Sequence, residues 1–269
     1  MERLDRTLGE RYRLGSLLGS GSSADVYRAW DGRLDRPVAI KVLNEPSDGV
    51  RARFLHEARS LARLNHPHIV TVYDAVESDG LSYIVMELAE GPNLFSASRS
   101  LPRATTLAHV LDVLDALAYA HERDVLHRDI KPSNIALTKN GVKIMDFGLS
   151  RRISDLAAGT HAGEVVGTIA YLPPERFLGR PSDARGDLYS IGIVLYELLA
   201  GVVPFRNDGE DLVAIIFAHV NEVPRSPSVH DPTIGEALER IVLRLLAKDP
   251  QARFPGAREL HAALGRAIA

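Results

Sequence analysis

The chain has 269 residues, a formal net charge of −3, 45% hydrophobic and 25% charged residues, and no cysteine. It is long enough for two lobes with separate cores, and its composition is ordinary for a globular protein. The charge gives no general attraction to nucleic acid or an anionic membrane, and the lack of cysteine excludes disulfides, thiolate chemistry and cysteine-ligated metals.

The first residues, MERLDRTLGERYRLG, are too polar for a signal peptide. Residues 11 to about 87 alternate apolar runs with one helical pattern. YRLGSLL, ADVYRAW, RPVAIKVL, IVTVYDAV and LSYIVMEL read as strands, rich in Val, Ile and Tyr, with Asp-Gly turns at 31–32, 48–49 and 79–80. A helix is predicted near 51 to 64. LAEGPNLFSASRSLPRA, with its Gly, Pro and Ser, reads as a connector. From residue 104 the periodicity is mainly helical, as in TLAHVLDVLDALAYAHE and GEALERIVLRLLAKD. The longest apolar run, IGIVLYELLAGVVPF from Ile191, is broken by Glu197 and Gly201 and reads as a buried helix too short to span a bilayer. Ser150 to Gly167 is polar, small-residue-rich and aperiodic, long for a loop and therefore functional in expectation. The coarse reading is a small β-rich lobe, a hinge and a larger α-rich lobe in a soluble chain.

Several charged groups fit poorly into a core. In LLGSGSSADVY, Gly19 and Gly21 lie between two strand-like runs, where backbone N–H groups can approach a phosphate. By itself that is a common hairpin turn. Lys41 ends the apolar strand VAIK, and the helix that follows places Glu57 on the same stripe as Phe54, Ala58 and Leu61. A surface pair of Arg53 with Glu57 would not explain that position, whereas a Lys41–Glu57 pair would hold an ammonium ready to neutralise phosphate charge. In VLHRDIKPSN, Asp129, Lys131 and Asn134 fall within six residues, after a helix expected to end near Glu122. Asp129 can accept a proton from a hydroxyl nucleophile, Lys131 can stabilise the transferring charge, and Asn134 offers a neutral oxygen to a hard cation. Asp146, twelve residues further on in VKIMDFG, is a second oxygen ligand. Two such ligands plus substrate phosphates suit Mg²⁺ better than an all-protein cage does.

In this order, these motifs resemble the protein kinases, most of all the eukaryotic-like serine/threonine kinases of bacteria. The resemblance runs from about Tyr12 to Leu264 and includes Gly19-Ser20-Gly21 with Val26, Val38-Ala39-Ile40-Lys41, Glu57, His127-Arg128-Asp129, Asn134 and Asp146-Phe147-Gly148. It continues through Pro173-Pro174-Glu175, Asp187 and Arg253. It implies the α+β, bilobal protein-kinase fold, with residues 1–89 as a β-rich N-lobe carrying one key helix and residues 90–269 as hinge and α-helical C-lobe. The implied activity is transfer of the γ-phosphate of ATP to Ser/Thr hydroxyls of proteins, with autophosphorylation of the activation loop. The implied catalytic residues are Asp129, Lys131, Lys41 and Glu57, and Asn134 and Asp146 would bind Mg²⁺, with Mn²⁺ as a substitute.

By the same resemblance, ATP lies against Leu18, Gly19, Ser20, Gly21, Ser22, Ser23, Ala24, Asp25 and Val26, and against Ala39, Lys41, Met86, Glu87, Ala89, Asn93 and Ala136. Adenine is expected between Val26 and Ala39 above and Ala136 below, hydrogen-bonded to the backbone of Glu87 and Ala89, with Met86 as gatekeeper. Ala136 stands where Leu or Met is usual, which implies a thinner pocket floor and modest ATP affinity. Ala24 replaces the third glycine of the loop, Pro174 the usual Ala or Ser, and Asn93 a ribose-binding acid. Arg128 and Arg151 are expected to face a phosphorylated Thr160, with Ser150 and Ser154 as alternatives, and Thr168 to bond towards Asp129 and Lys131. Glu175 would pair with Arg253, and Asp187 would anchor the catalytic-loop backbone. Lys131 and Gly167-Thr168 resemble the serine/threonine branch. A pseudokinase scaffold would lack some of these charged groups. A small-molecule kinase would lack Lys131, Gly167-Thr168 and the Pro-Pro-Glu shelf. Expected partners are ATP, protein substrates and a second copy for trans-autophosphorylation. The expected location is the cytoplasm, either as a free chain or as the cytoplasmic domain of a longer membrane-anchored kinase.

Overall fold

The computed structural model describes residues 7–21, 24–44, 48–78, 80–147, 167–206 and 211–269, apart from the side chains of Asp48, Arg53 and Glu57. The chain forms two compact units, Met1–Glu90 and Gly91–Ala269.

The first unit is built on a six-stranded antiparallel sheet in the order β1-β2-β3-β4-β6-β5. The strands are β1 (Thr7–Leu8), β2 (Tyr12–Ser20), β3 (Ala24–Asp31), β4 (Arg36–Leu43), β5 (Val72–Ser78) and β6 (Leu81–Met86). Side chains alternate across the pleat, so one face gathers Tyr12, Leu14, Ala29, Val38, Ile40, Tyr83 and Val85 into a core. Helix α1 (Asp48–Leu61) buries Phe54 and Ala58. Two boundaries differ from the sequence reading. Asp48-Gly49, read as a turn, forms the first two residues of α1, where an acidic residue suits the positive helix end. Strand β5 starts only at Val72, although the apolar run begins at Ile69.

The second unit is mainly helical. The supposed connector holds the short helix α2 (Leu94–Ser98), whose first free N–H is met by Asn93: Ser96 N–H donates to Asn93 Oδ1 at 2.8 Å. Helix α3 (Arg103–His121) is followed by the hairpin β7 (Ile135–Thr138) and β8 (Gly141–Ile144). Gly91 lies so close to this hairpin that a Cβ there would fall 1.9 Å from the carbonyl oxygen of Leu137. Leu137 N–H donates to Pro92 O, and Asn93 bridges to Ala136. Among the described residues, the further α-helices are α4 (Pro174–Phe177), α5 (Ala184–Ala200), α6 (Leu212–Asn221), α7 (Glu236–Leu245) and α8 (Ala257–Ile268).

Helix α5 is the predicted apolar run, and it is buried all round, with Leu188, Tyr189, Ile191, Ile193 and Leu195 fully covered. It packs on α3 and α7, and α8 packs on α3. Among the described residues, no helix is long and apolar enough to cross a membrane.

At the α5–α7 contact, a Cβ on Gly192 would sit 2.7 Å from Leu245 Cβ, an atom that cannot swing aside. Gly192→Val is expected to lower stability by about 1–3 kcal/mol through overpacking, because valine adds the clash without alanine's helix propensity. Urea titration of the variant checks this.

Candidate active site

In the first unit, β2 and β3 form the hairpin whose turn carries the two glycines, with Gly19 opposite Val26 and Ser20 opposite Asp25. Ser20 Oγ donates to Asp25 Oδ1 at 2.6 Å, Gly21 N–H donates to Ala24 O at 3.0 Å, and Asn44 Nδ2 donates to Gly21 O at 3.1 Å. Leu18 at the hairpin is half exposed, and Ser22 and Ser23 lie outside the described residues. On β4, Lys41 stands across from Val26 on β3 and Ile84 on β6, and Ala39 across from Met86. The side chain of Glu57 is outside the described set, and with it the expected Lys41–Glu57 pair. Glu87 N–H is bonded to Thr71 O at 2.8 Å, and Ala89 follows two residues later.

The second unit assembles the charged cluster from the end of α3 onward. The chain leaves α3 through Asp124, in left-handed backbone at φ 58°, and Val125 N–H returns to Ala120 O at 3.0 Å. Arg128 is also left-handed, at φ 67°, a costly conformation for a long side chain. Asp187, in the first turn of α5 and 3% exposed, compensates: Oδ2 accepts His127 N–H at 2.8 Å, and Oδ1 accepts Arg128 N–H at 2.7 Å. His121, the last residue of α3, adds its Nε2 to Asp187 Oδ2 at 2.8 Å. Burial pulls the Asp187 carboxyl upward, but His121, His127 and the backbone donors outweigh it and leave the group below its ordinary value.

His127 is completely buried, and burial is the main cause that pushes its pKa down. Its ring bridges two segments: Nε2 meets Met145 O at 2.8 Å, and Nδ1 accepts Asp129 N–H at 3.2 Å. Those contacts assign the neutral Nε2–H tautomer. Phe147 packs against the same ring at a tilt of 54° with centroids 4.5 Å apart, and Asp146 between Met145 and Phe147 is left-handed at φ 58°.

Asp129 Oδ2 is 3.0 Å from Lys131 Nζ and 3.0 Å from Asn134 Nδ2. Asn134 Nδ2 also donates to Asp129 O at 2.8 Å, within the 3₁₀ turn Pro132–Asn134. Lys131 Nζ reaches Thr168 Oγ1 at 3.0 Å. This orientation gives the amide nitrogen of Asn134 to Asp129 and turns its oxygen elsewhere, as a ligand for a hard cation requires. Asn134 and the Asp146 carboxylate would offer one neutral and one anionic oxygen, a pair whose chemistry suits a divalent cation that also takes phosphate oxygens.

Residues 12–263 match the family model of the protein kinase domain. The chain belongs to the protein kinase family. It is 45% identical to a probable serine/threonine-protein kinase of Streptomyces coelicolor, over 95% of this chain and 40% of that protein. It is 42% identical to the serine/threonine-protein kinase PknB of Mycobacterium leprae, over 96% of this chain and 43% of that protein. It thus spans about two fifths of the length of these relatives. The crystal structure of the M. tuberculosis PknI kinase domain matches over 99% of both chains, with a TM-score of 0.78 and 29% identity. Protein kinases use ATP and a divalent metal and act on protein substrates.

Glu175 in α4 and Arg253 pair two-pronged at 2.9 and 2.8 Å, with Arg253 1% exposed and also bonded to the carbonyls of Arg185, Ala247 and Lys248. Asn93 gives one lone pair of its side-chain oxygen to the α2 cap, which leaves its amide nitrogen and a second lone pair for further hydrogen bonds. Ala136 is 3% exposed and bridged to Asn93. Gly148, Ser150, Arg151, Ser154 and Thr160 lie outside the described residues. The sequence reading missed His121. A histidine in the last turn of a helix reads as an ordinary C-terminal cation, and only the fold brings Asp187, 66 residues away, to its ring.

The kinase's Glu175–Arg253 pair is fully desolvated, so removing one partner strands the other. Arg253→Met is expected to destabilise the second unit by about 3–5 kcal/mol, and the double change with Glu175→Met to recover much of that loss. Denaturant melts of the two single variants and the double variant measure the coupling.

Proposed function

We propose that this domain transfers the γ-phosphoryl group of ATP to serine and threonine hydroxyls of proteins. The observation that carries the proposal is the single network of Asp129, Lys131, Asn134 and Thr168. Asp129 orients the incoming hydroxyl and takes its proton, held in one rotamer by Lys131 and Asn134. Lys131 lies beside that carboxylate, so its charge can stabilise the phosphoryl oxygens as they separate from the leaving group. Thr168 fixes the ammonium at the place where a peptide hydroxyl would enter, which supports the serine/threonine class over tyrosine. Asn134 Oδ1 and Asp146 would hold Mg²⁺, with Mn²⁺ as a substitute. That ion neutralises phosphate charge when bound. Lys41 and the Gly19–Gly21 turn would take the nucleotide phosphates.

Asp129→Asn keeps the size of the side chain but removes the proton acceptor. The phosphorylation rate on a serine peptide is expected to fall on the order of 10²–10⁴-fold, with nucleotide binding little changed. A variant that retains near-wild-type turnover after repurification would sink this reading.

Regulation by autophosphorylation, in trans from a second copy, belongs to the same proposal. A phosphate on Thr160 adds about −1.5 to −2 charge and would pair with Arg128 and Arg151. Mass-spectrometric mapping of fully active protein is expected to find Thr160 phosphorylated. Finding it bare would rule out this switch.

A further inference from the structure

Outside the catalytic cluster, the second unit has a cleft of about 710 Å³ between the end of α5, the chain that follows it, α6 and the segment that leaves α6. That volume is ordinary for a small-molecule site. Phe205, Ile215 and Ala218, all buried, line it, and Ile215 also packs with Ile169 and Leu172. A wall shared with a packed core holds its shape without a ligand, so binding there costs little reordering. Val223, strongly exposed, carries the apolar lining out to the rim.

Two polar side chains of this lining lack the partners that their surroundings call for. Tyr196 is 1% exposed, yet among the described residues nothing hydrogen-bonds its hydroxyl. A phenol buried to that degree usually finds a partner. Burial raises the Tyr196 hydroxyl above its ordinary value, against the pull of Arg225, so it stays a protonated donor at neutral pH. Arg225 lines the same cleft and, among the described residues, makes no ion pair or hydrogen bond. His230 meets the Tyr196 ring edge-on, with centroids 6.1 Å apart.

The other charges of the lining are Arg206 and Glu222. Glu222 acts on Lys248: burial pulls that ammonium down to about 8, and Glu222 works against the shift. Lys248 Nζ is itself seated at the end of α6, on Ala218 O at 3.0 Å and His219 O at 2.7 Å. The acid of the cleft is thus turned to a neighbouring cation, while Tyr196 and Arg225 offer donors that nothing accepts. A cationic ligand would be repelled by Arg225, and an uncharged apolar one would leave both donors unmet. An anionic head with an apolar body satisfies both parts of the lining.

We propose that this cleft binds a small amphipathic carboxylate, whose apolar chain lies against Phe205, Ile215 and Ala218 and whose carboxylate accepts from the Tyr196 hydroxyl and the Arg225 guanidinium. The site shares no residue with the Asp129 cluster, so its test is independent of the phosphoryl-transfer reading.

The probe is octanoate, titrated calorimetrically into the full chain beside octanol and octylammonium. Octanoate is expected to bind saturably at one site, octanol at least about tenfold more weakly, and octylammonium not at all. Tyr196→Phe removes only the hydroxyl, and Arg225→Met removes the charge. Each is expected to raise the Kd for octanoate at least about tenfold while keeping the wild-type Tm and peptide turnover. Phe217→Ser, on the exposed side of α6, controls for adsorption to apolar surface and should bind octanoate as the wild type does. Hydrogen exchange should slow on octanoate binding over residues 202–206 and 222–225. Absence of saturable binding, equal affinity for octanol, or an unchanged Kd in either folded variant would overturn the proposal. So would loss of binding in Phe217→Ser, which marks adsorption to the helix surface.

Discussion

The buried carboxylate of Asp187 is the contact on which the catalytic segment depends. Two neighbouring N–H groups, those of the buried His127 and of Arg128, both end on this one carboxylate. Left unpaired, each would cost on the order of 1–3 kcal/mol, and the left-handed Arg128 adds a further ~1–3 kcal/mol of strain. A neutral acceptor would repay less, because hydrogen bonds to a charged group are roughly twice as strong. The carboxylate's own desolvation is offset by its three donors, so it stays ionised where it is buried. The loop conformation is thus imposed by α5 and not chosen by the loop's own sequence.

His127 is the complement of Asp187. The two are adjacent and opposite in their preferred protonation: Asp187 is held anionic by its donors, and His127 is held neutral by burial despite the nearby carboxylates. Burial wins for the imidazole because its two nitrogens already have partners that suit the neutral ring. Nε2–H faces Met145 O, and the Nδ1 lone pair faces Asp129 N–H. A second proton on the ring would turn Nδ1 into a donor facing a donor. The neutral histidine therefore joins the segment bearing Asp129 to the segment bearing Asp146, and Phe147 closes over its face. Two of the left-handed residues here, Arg128 and Asp146, lie within one residue of an atom bonded by His127 or Asp187.

The strand-rich first unit, the helical second unit and the buried run from Ile191 were legible because period-2 and period-3.6 patterns report directly which faces are covered. The charged residues were legible as a family pattern in chain order, since Asp129, Lys131 and Asn134 are close in sequence. Local boundaries were less so. Asp48-Gly49 looks like a turn but opens α1, and Asn93 looks like a loop residue but caps α2, because the same small polar side chains serve turns and helix starts. Least legible were contacts between residues far apart in the chain. His121 to Asp187 and Tyr171 to Glu197 carry no local signature, and nothing in the run LAYAHERD says what the histidine faces.

Helix α5 shows why so apolar a helix carries polar residues at all. Gly186, Ser190 and Glu197 fall on one side of the helix at spacings of four and seven, with Asp187 beside them, while Gly192 faces Leu245 on the other. Each polar residue on that side has a partner outside the helix. Asp187 takes the catalytic loop, Ser190 Oγ donates to Tyr171 O at 2.8 Å, and Glu197 accepts the Tyr171 hydroxyl at 2.6 Å. Burial raises the Glu197 carboxyl towards its neutral form, and the Tyr171 hydrogen bond works against that shift. One face of a hydrophobic helix thus fixes both the loop bearing Asp129 and the segment running from Thr168 to Pro173. Lys131 spans those two segments through Asp129 and Thr168, so its ammonium can hold its distance only if both are tied to the same rigid body. The apolar remainder of α5 supplies that rigidity, because close-packed cores do not deform gradually. The geometry of the Asp129, Lys131 and Thr168 cluster is therefore set less by those partly buried residues themselves than by the buried helix beside them.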